Sequence, residues 1–148
     1  MEAKLAITVL LTVSILIATT AIHFESLRGL WRAIAKRGGN RRVKMLVALP
    51  TIIFVHLVEI GLYAGVYALA IGPLQLGHFI PMRPIHGLDL VYYASETYSA
   101  LGYGDILPAG YLRLIASVSP LNGSLLLAWS GSFLFLLIQD DFVDKFTP

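Results

Sequence analysis

Three long runs of apolar residues, almost free of charged side chains, constrain this chain more than any other feature. They cover residues 5–24, 45–71 and 114–139, and Glu59 is the only Asp, Glu, Lys or Arg within them. A helix rises about 1.5 Å per residue, so each run is long enough to cross a hydrocarbon core of about 30 Å. Only 14% of the chain is charged, against about 25% in soluble domains. The sequence therefore predicts an all-α membrane protein with three transmembrane helices.

The distribution of positive charge predicts the orientation of these helices. Seven of the eleven Lys and Arg residues lie between the first and second runs, and Lys145 follows the third. Cytoplasmic loops are enriched in Lys and Arg. We therefore expect an integral protein of the plasma (inner) membrane, with its N-terminus outside and its C-terminus in the cytoplasm. Because the basic residues follow the first run, we expect an uncleaved helix, not a secretory signal.

The basic segment between the first two runs, residues 25–44, has an apolar stripe at helical spacing. The stripe consists of Leu27, Leu30, Trp31 and Ile34. One interpretation is a separate interfacial helix that is attracted to anionic lipids of the membrane. The alternative is that the charges only fix the topology. The position of this segment beside the membrane already accounts for its basic charge, so nucleic acid is not an expected partner.

A segment of different composition separates the second and third runs. Residues 72–88 are rich in Pro, Gly and His, and residues 89–100 form a short amphipathic stretch. Short apolar segments at membrane depth are often re-entrant. Irregular backbone is tolerated there only where protein or a water-filled path shields it. We therefore expect a re-entrant helix and loop that enter and leave on the extracellular side.

The residues that follow are the most informative in the chain. They read Ala100-Leu101-Gly102-Tyr103-Gly104-Asp105, with Pro108 three positions later. This segment resembles the pore loop and selectivity filter of tetrameric potassium channels, whose signature TVGYG is followed by Asp and, three residues later, Pro. The resemblance implies a pore domain over residues 45–140, with an additional N-terminal transmembrane helix at residues 1–24. Its parts would be an outer helix at 45–71, an extracellular loop at 72–88, a pore helix at 89–100, a filter at 100–105 and an inner helix at 114–139, followed by a short cytoplasmic tail at 141–148.

The resemblance also implies how the filter works. Four backbone carbonyls would coordinate K⁺, those of Ala100, Leu101, Gly102 and Tyr103. Inward carbonyls need positive φ at alternate positions, which Gly102 and Gly104 adopt without a Cβ clash. One loop cannot encircle an ion, so a homotetramer around a central pore follows. Ala100 stands where the family usually has Thr, which leaves the degree of selectivity open. K⁺ is the permeant ion, and no cofactor is expected.

Neighbouring side chains are expected to support the filter. The candidates are Glu96, Asp105, Thr97, Tyr92 and Tyr93, and Tyr98 is a further aromatic residue against which Tyr103 could pack. Glu96 and Asp105 match two carboxylates that meet behind the filter in some bacterial potassium channels. The alternative is that each simply faces water at the outer mouth.

Two further pairs of residues lie within the predicted helices. Pro120 and Gly123 predict a hinge in the third helix, with close helix packing as the alternative. His56 and Glu59 lie three residues apart on one face of the second helix. They could sense protons or anchor the helix to a neighbour, or form only a structural hydrogen bond. Two ligands are too few for a metal site.

The sequence contains no phosphate-binding Gly loop, metalloprotease motif or nucleophile elbow, and no enzyme is expected. We expect a potassium-selective channel that conducts K⁺ passively through a carbonyl-lined filter. A weakly selective monovalent cation channel is one alternative, because Ala100 lacks a hydroxyl. The other is a non-conducting membrane subunit that interacts with a partner channel. Neither the gating stimulus nor the role of the first helix follows from the sequence.

Overall fold

The computed structural model describes residues 2–37, 41–80 and 85–146. The elements in chain order are α1 (Glu2–Arg37), α2 (Arg41–Ile71), β1 (Gly77–Ile80), α3 (Gly87–Tyr98), β2 (Leu107–Gly110) and α4 (Leu112–Phe146). Within these described residues, three stretches are long and apolar enough to cross a membrane: Glu2–Ala35, Arg42–Ile71 and Leu112–Gln139. The short helix α3 lies between the second and third of them. The predicted all-α membrane fold with three spanning helices and a short intervening helix is confirmed.

The first helix is longer than predicted. It does not end near residue 24 but continues without a break to Arg37, so the interpretation of residues 25–44 as a separate interfacial helix is wrong. The apolar stripe of this segment, apart from the exposed Trp31, packs against protein instead of lipid, because α1 lies alongside α2 and α4. Three of its residues, Leu27, Leu30 and Ile34, belong to a buried cluster with Ala48, Ile52, Phe133 and Leu137. Residues 38–40, in the middle of the basic segment, lie outside the described residues.

The other helices also extend beyond their apolar runs. The second begins at Arg41 instead of residue 45. The third long helix, α4, begins at Leu112 and continues to Phe146, so most of the tail predicted at residues 141–148 is helical. The last two residues lie outside the described part of the chain. Hydropathy marks only the segment that fits the hydrocarbon core, and a helix can continue into the polar region beyond it.

A small antiparallel sheet joins the two ends of the loop region. Gly77 pairs with Gly110 and Ile80 with Leu107. The backbones approach so closely that a Cβ on Gly77 would lie 2.1 Å from the carbonyl oxygen of Ala109. The sequence does not predict this sheet, because its strands have only four residues and the second contains a proline. Because the strands are neighbours, the segment between them leaves and returns at the same end of the molecule; its residues 81–84 lie outside the described part.

The core of the molecule lies where α3 enters the helix bundle. Its largest buried side chains include Tyr63, Tyr67, Tyr93 and Tyr98. At the end of the molecule that carries the sheet, Lys4 Nζ of α1 donates a hydrogen bond to the Gln75 carbonyl, 2.8 Å away. The N-terminus of α1 therefore lies beside the loop that follows α2, and the basic segment lies at the opposite end.

Candidate functional site

The C-terminal end of α3 is closed by a Schellman motif. The Ala100 N–H donates to the Thr97 carbonyl at 3.1 Å, and the Leu101 N–H donates to the Glu96 carbonyl at 2.8 Å. These two bonds satisfy carbonyls that a helix end otherwise leaves without a partner. Ala100 occupies the left-handed position of the motif, with φ of 59°, where glycine is the usual residue. The helix thus ends at Tyr98, two residues earlier than predicted, and residue 100 already belongs to the loop.

Left-handed residues alternate along the loop that follows. Ala100, Gly102 and Gly104 have φ values of 59°, 57° and 79°, whereas Leu101 and Tyr103 between them are not left-handed. In an ordinary extended strand, successive carbonyls point to opposite sides. A left-handed residue at every second position removes this alternation, so that successive carbonyls point to the same side. The positive φ values expected at Gly102 and Gly104 are present, and Ala100 adds a third that the sequence did not indicate, because L-residues with a Cβ rarely adopt this conformation.

A buried carboxylate holds the middle of this loop. Glu96 is only 4% exposed, and its Oε2 accepts a hydrogen bond from the Tyr103 N–H at 3.1 Å. Burial raises the pKa of Glu96, the bond from Tyr103 opposes this shift, and the negative charge of Asp105 raises the pKa further. Glu96 therefore does not face water at the mouth of the loop but connects α3 to the loop backbone.

The second carboxylate has a different environment. Asp105 is exposed, and its Oδ1 accepts a hydrogen bond from the Tyr92 hydroxyl at 3.2 Å. The rings of Tyr92 and Tyr103 are stacked, with centroids 6.3 Å apart and planes within 1° of parallel. Tyr92 therefore connects the exposed face of α3 to both Tyr103 and Asp105. The two carboxylates thus have different partners: Glu96 accepts from the backbone of the loop, and Asp105 accepts from a side chain of α3.

The remaining predicted support residues contact α3 and its surroundings. Thr97 Oγ1 donates to the Tyr93 carbonyl at 2.8 Å, within the helix. The Tyr93 ring packs edge-on against Tyr67 and Phe79, with centroids 5.0 Å and 4.7 Å away. Tyr93 therefore packs α3 against α2 and β1. Tyr98 likewise points into the bundle, where its ring meets that of Tyr63.

At Gly123, α4 lies directly against the end of α3. A Cβ at this position would lie 1.9 Å from the Tyr98 carbonyl oxygen, a distance that no packing can accommodate. Close packing thus accounts for the glycine. Pro120 lies inside α4, which is assigned as one helix from Leu112 to Phe146. A hinge at Pro120 and Gly123 remains a prediction.

A buried group of polar side chains connects α1 to the rest of the molecule. The carboxylate of Glu59 lies at the centre of this group. It accepts a hydrogen bond from the Tyr98 hydroxyl at the end of α3. It also lies within hydrogen-bond distance of His23 of α1 and of His56 of its own helix. Ser130 of α4 contacts both histidines. The sequence indicated His56 and Glu59 as a pair but missed the other three. The only available signal for His23 is its position as an isolated imidazole in an otherwise uncharged apolar run.

A second polar contact joins three of the helices. The Asn122 amide of α4 donates to Thr19 Oγ1 of α1 at 2.8 Å and to the Tyr63 hydroxyl of α2 at 3.1 Å. Hydrogen bonds of this kind hold transmembrane helices together. No local pattern in the sequence predicts this contact, because its partners are 103 and 59 residues apart in the chain. The first helix is thus held to the other helices by polar contacts in addition to apolar packing.

Comparison with protein families shows where this architecture belongs. A family model described as an ion channel matches residues 53–140. The match runs from the middle of α2 through the re-entrant helix and its loop into α4. The chain belongs to this ion channel family. As an ion channel it is an integral membrane protein, and its family points to transport across the membrane, not to catalysis.

The matched segment of the ion channel is the two-span pore module of the potassium-channel type that the sequence predicted. The first helix α1 and the first part of α2 lie outside it. No curated protein and no solved structure matches the chain significantly.

Proposed function

We propose that this ion channel is a homotetramer that conducts K⁺ passively through a filter formed by the backbone of residues 100–104. The alternation of left-handed residues along this loop is the observation that supports the proposal most strongly. A dehydrated K⁺ ion needs oxygen ligands in place of its hydration shell, and rings of backbone carbonyls supply them. The ligands would be the carbonyls of Ala100, Leu101, Gly102 and Tyr103, with Gly104 completing the alternation.

The exposure of the loop supports assembly into a tetramer. In the single chain Leu101 is 58% and Tyr103 68% exposed, so one chain does not enclose an ion. Four loops around a closed cyclic axis would bring their carbonyls together in rings. The same assembly would cover part of the exposed apolar surface of α3 and α4, where Leu88 is 85% and Leu125 62% exposed.

Glu96 would keep the loop at the width that K⁺ requires. Its bond to the Tyr103 N–H fixes one peptide of the filter against α3, and the stacked rings of Tyr92 and Tyr103 add a second contact. A filter held from behind in this way can favour one ion size without any charged ligand in its path.

We further propose the plasma (inner) membrane as the location, with the N-terminus outside. The contact between Lys4 and Gln75 supports a shared side for the N-terminus and the loop region, and the Lys and Arg residues at the opposite end favour the cytoplasm. These basic residues would attract anionic lipids of the inner leaflet.

Ion flux into liposomes tests the proposal. The purified protein is reconstituted, and flux is measured first under a K⁺ gradient and then under a Na⁺ gradient. Gly102→Val places a branched Cβ on a left-handed residue, a conformation that such side chains hardly adopt, and should distort the filter. Gly61→Val is the matched control, since a Cβ there meets nothing within 4 Å on helix α2.

The expected result is K⁺ flux without Na⁺ flux for the native protein and for Gly61→Val, and loss of flux for Gly102→Val. The native mass in detergent, compared with the 16.2 kDa chain, checks that both variants remain tetrameric. An intact native tetramer without flux would overturn the proposal in favour of a non-conducting subunit.

A weakly selective cation channel is the second candidate, and Ala100 favours it because it offers no hydroxyl to an inner ion. Ala100→Ser adds that hydroxyl without branching at Cβ, and Ala100→Gly is the matched control that removes the strain of a left-handed residue without adding a ligand. If the missing hydroxyl weakens selectivity, only the serine variant should exclude Na⁺ more strongly. Equal ion ratios in both variants would contradict this account of Ala100.

A further inference from the structure

Four buried side chains from three helices close into a ring, which we call the polar ring: His23 of α1, Glu59 and His56 of α2, and Ser130 of α4. His23 Nδ1 lies 3.0 Å from Glu59 Oε1, and His56 Nδ1 lies 3.0 Å from Glu59 Oε2. On the other side, Ser130 Oγ lies 3.0 Å from His56 Nε2 and 3.3 Å from His23 Nε2. His23 and Glu59 are completely buried. All four imidazole nitrogens therefore face an oxygen at hydrogen-bond distance.

The groups around the polar ring come from every helix of the molecule. Tyr98 of α3 donates its hydroxyl proton to Glu59 Oε2 and lies 2.9 Å from His56 Nδ1. Trp129 of α4 packs against the ring of His23, and Tyr63 of α2 packs against Tyr98. The charged residues that follow His23 on α1, Glu25 and Arg28, are exposed and pair with each other at 2.9 Å.

The polar ring needs one proton more than its neutral histidines, its serine and an ionised Glu59 supply. Its four contacts require four protons, one in each. An ionised Glu59 brings none, and two neutral imidazoles and the Ser130 hydroxyl bring one each, which makes three. With three protons, one nitrogen and one oxygen face each other through lone pairs, and a net negative charge is buried in the membrane interior, which is costly. A fourth proton closes every contact and makes the ring neutral, whether it resides on an imidazole or on Glu59.

We propose that the polar ring is a binding site for one exchangeable proton, and that its occupancy controls the end of α3 from which the filter begins. With the proton bound, the ring holds α1, α2 and α4 together around Tyr98. When the proton is lost, one contact of the ring opens, and Tyr98 becomes the available donor to His56 Nδ1 in place of Glu59. A divalent metal ion is the other ligand for two histidines and a carboxylate, but every nitrogen here already faces an oxygen at a distance that fits a shared proton.

The connection from the polar ring to the filter is short. Tyr98 is the last residue of α3 and lies two positions before Ala100, where the left-handed alternation begins. Its backbone carbonyl also lies against Gly123 of α4, so a displaced Tyr98 would change both the start of the filter and the packing of α4. The ring is closed in the structure that has the alternating filter. Rising pH should therefore shift the molecule away from this filter geometry.

Thermal unfolding of the full-length protein in detergent, measured from about pH 6 to about pH 9, tests proton binding without reference to conduction. Proton loss from the closed ring should lower the Tm as pH rises, by at least about 3 °C for a protein of this size. In Ser130→Ala two neutral imidazoles satisfy both contacts that remain to Glu59, so only the buried negative charge still favours a further proton and the slope should be reduced. Ser132→Ala is the matched control, because Ser132 is an exposed hydroxyl on the same helix and should keep the native slope.

Glu59→Gln provides an independent second variant. A glutamine both donates and accepts, so the ring has four protons without an exchangeable one, and the Tm should be independent of pH at the high native value. A native Tm without pH dependence, or a native slope retained in both Ser130→Ala and Glu59→Gln, would overturn the proposal. Zn²⁺ is added in a separate arm: a Zn²⁺-dependent rise in Tm that Glu59→Gln abolishes would identify a metal site and overturn the proton site.

The gating consequence rests on the proposed function and is tested by flux. K⁺ flux into liposomes should fall about tenfold as pH rises across the transition seen in the Tm, within the range usual for coupling between sites. Glu59→Gln should conduct equally at all these pH values. Absence of flux together with a pH-dependent Tm would reject the proposed function and leave the proton site standing. Flux that ignores pH while the Tm follows it would reject the coupling to the filter.

Discussion

At the scale of single residues, Ala100 is the most unusual position in the chain. It holds the left-handed place of a Schellman motif, with φ of 59°, and starts the alternation of left-handed residues along the loop. A side chain there costs about 1–2 kcal/mol relative to glycine. This strained residue lies where α3 ends and the loop begins. Backbone strain of this kind is often found at functional sites.

Ala100→Gly should therefore stabilise the fold. The relief of strain exceeds the extra chain entropy of a glycine, about 0.4–1 kcal/mol, and the Tm should rise by about 2–4 °C. Ala100→Thr should lower the Tm, because a branched Cβ fits a left-handed residue poorly. Thermal unfolding of the three proteins at one pH measures both effects. A glycine variant less stable than the native protein would contradict the observed backbone conformation.

Glu96 should make the stability of the fold depend on pH. Burial and the charge of Asp105 raise the pKa of its carboxyl, so the unfolded chain ionises first, near the ordinary value of 4.5. Stability falls as pH rises from there through the folded-state pKa. Glu96→Gln should consequently be more stable than the native protein at neutral pH, and this advantage should vanish in acid. Asp105→Asn should reduce the effect, and equal stability curves for the native protein and the Glu96→Gln variant would contradict it.

At the scale of elements, the contact between α4 and the end of α3 depends on Gly123. Gly123→Ala places a Cβ 1.9 Å from the Tyr98 carbonyl oxygen and should destabilise the protein by about 1–3 kcal/mol, the usual cost of overpacking. Gly131→Ala lies on the same helix, where a Cβ meets nothing within 4 Å, and should be neutral or stabilising. Chemical unfolding of both variants measures the difference. Similar stability in the two would show that α4 does not approach α3 as described.

The sequence predicted the elements better than the contacts between them. Hydropathy located the three long helices, and the motif around Gly102 located the re-entrant loop, because both signals are local. The continuation of α1 to Arg37 escaped prediction, since its charged face resembles a helix on the membrane surface. His23 meets Glu59, and Ser130 meets His56, only in the folded chain, at separations of 36 and 74 residues. No periodicity in a single sequence brings such residues together.

At the scale of the whole molecule, the first helix is an integral part of the ion channel. The family match begins at residue 53, yet α1 contributes Lys4, Thr19 and His23 to contacts with the loop, with α4 and with α2. A helix added outside the family's pore module thus reaches the end of α3 through Glu59. This arrangement connects the periphery of the channel to the helix that precedes the loop at residues 100–104.

The molecule should assemble as four chains. Native mass spectrometry of the detergent-solubilised protein should give a mass four times that of the 16.2 kDa chain. Tyr103, which is 68% exposed in the single chain, should become protected from surface labelling in the assembly. A monomer under conditions that preserve activity would contradict a filter built from four loops.

The most direct test of the central claim is the reversal potential in a planar bilayer, with K⁺ on one side and Na⁺ on the other. For a K⁺-selective filter the current should reverse at a potential displaced by about 59 mV for each tenfold preference, with the sign that opposes K⁺ flow. A displacement of at least that size is the predicted result. A reversal at zero would show that the loop at Ala100–Gly104 passes both ions equally and would contradict selectivity for K⁺.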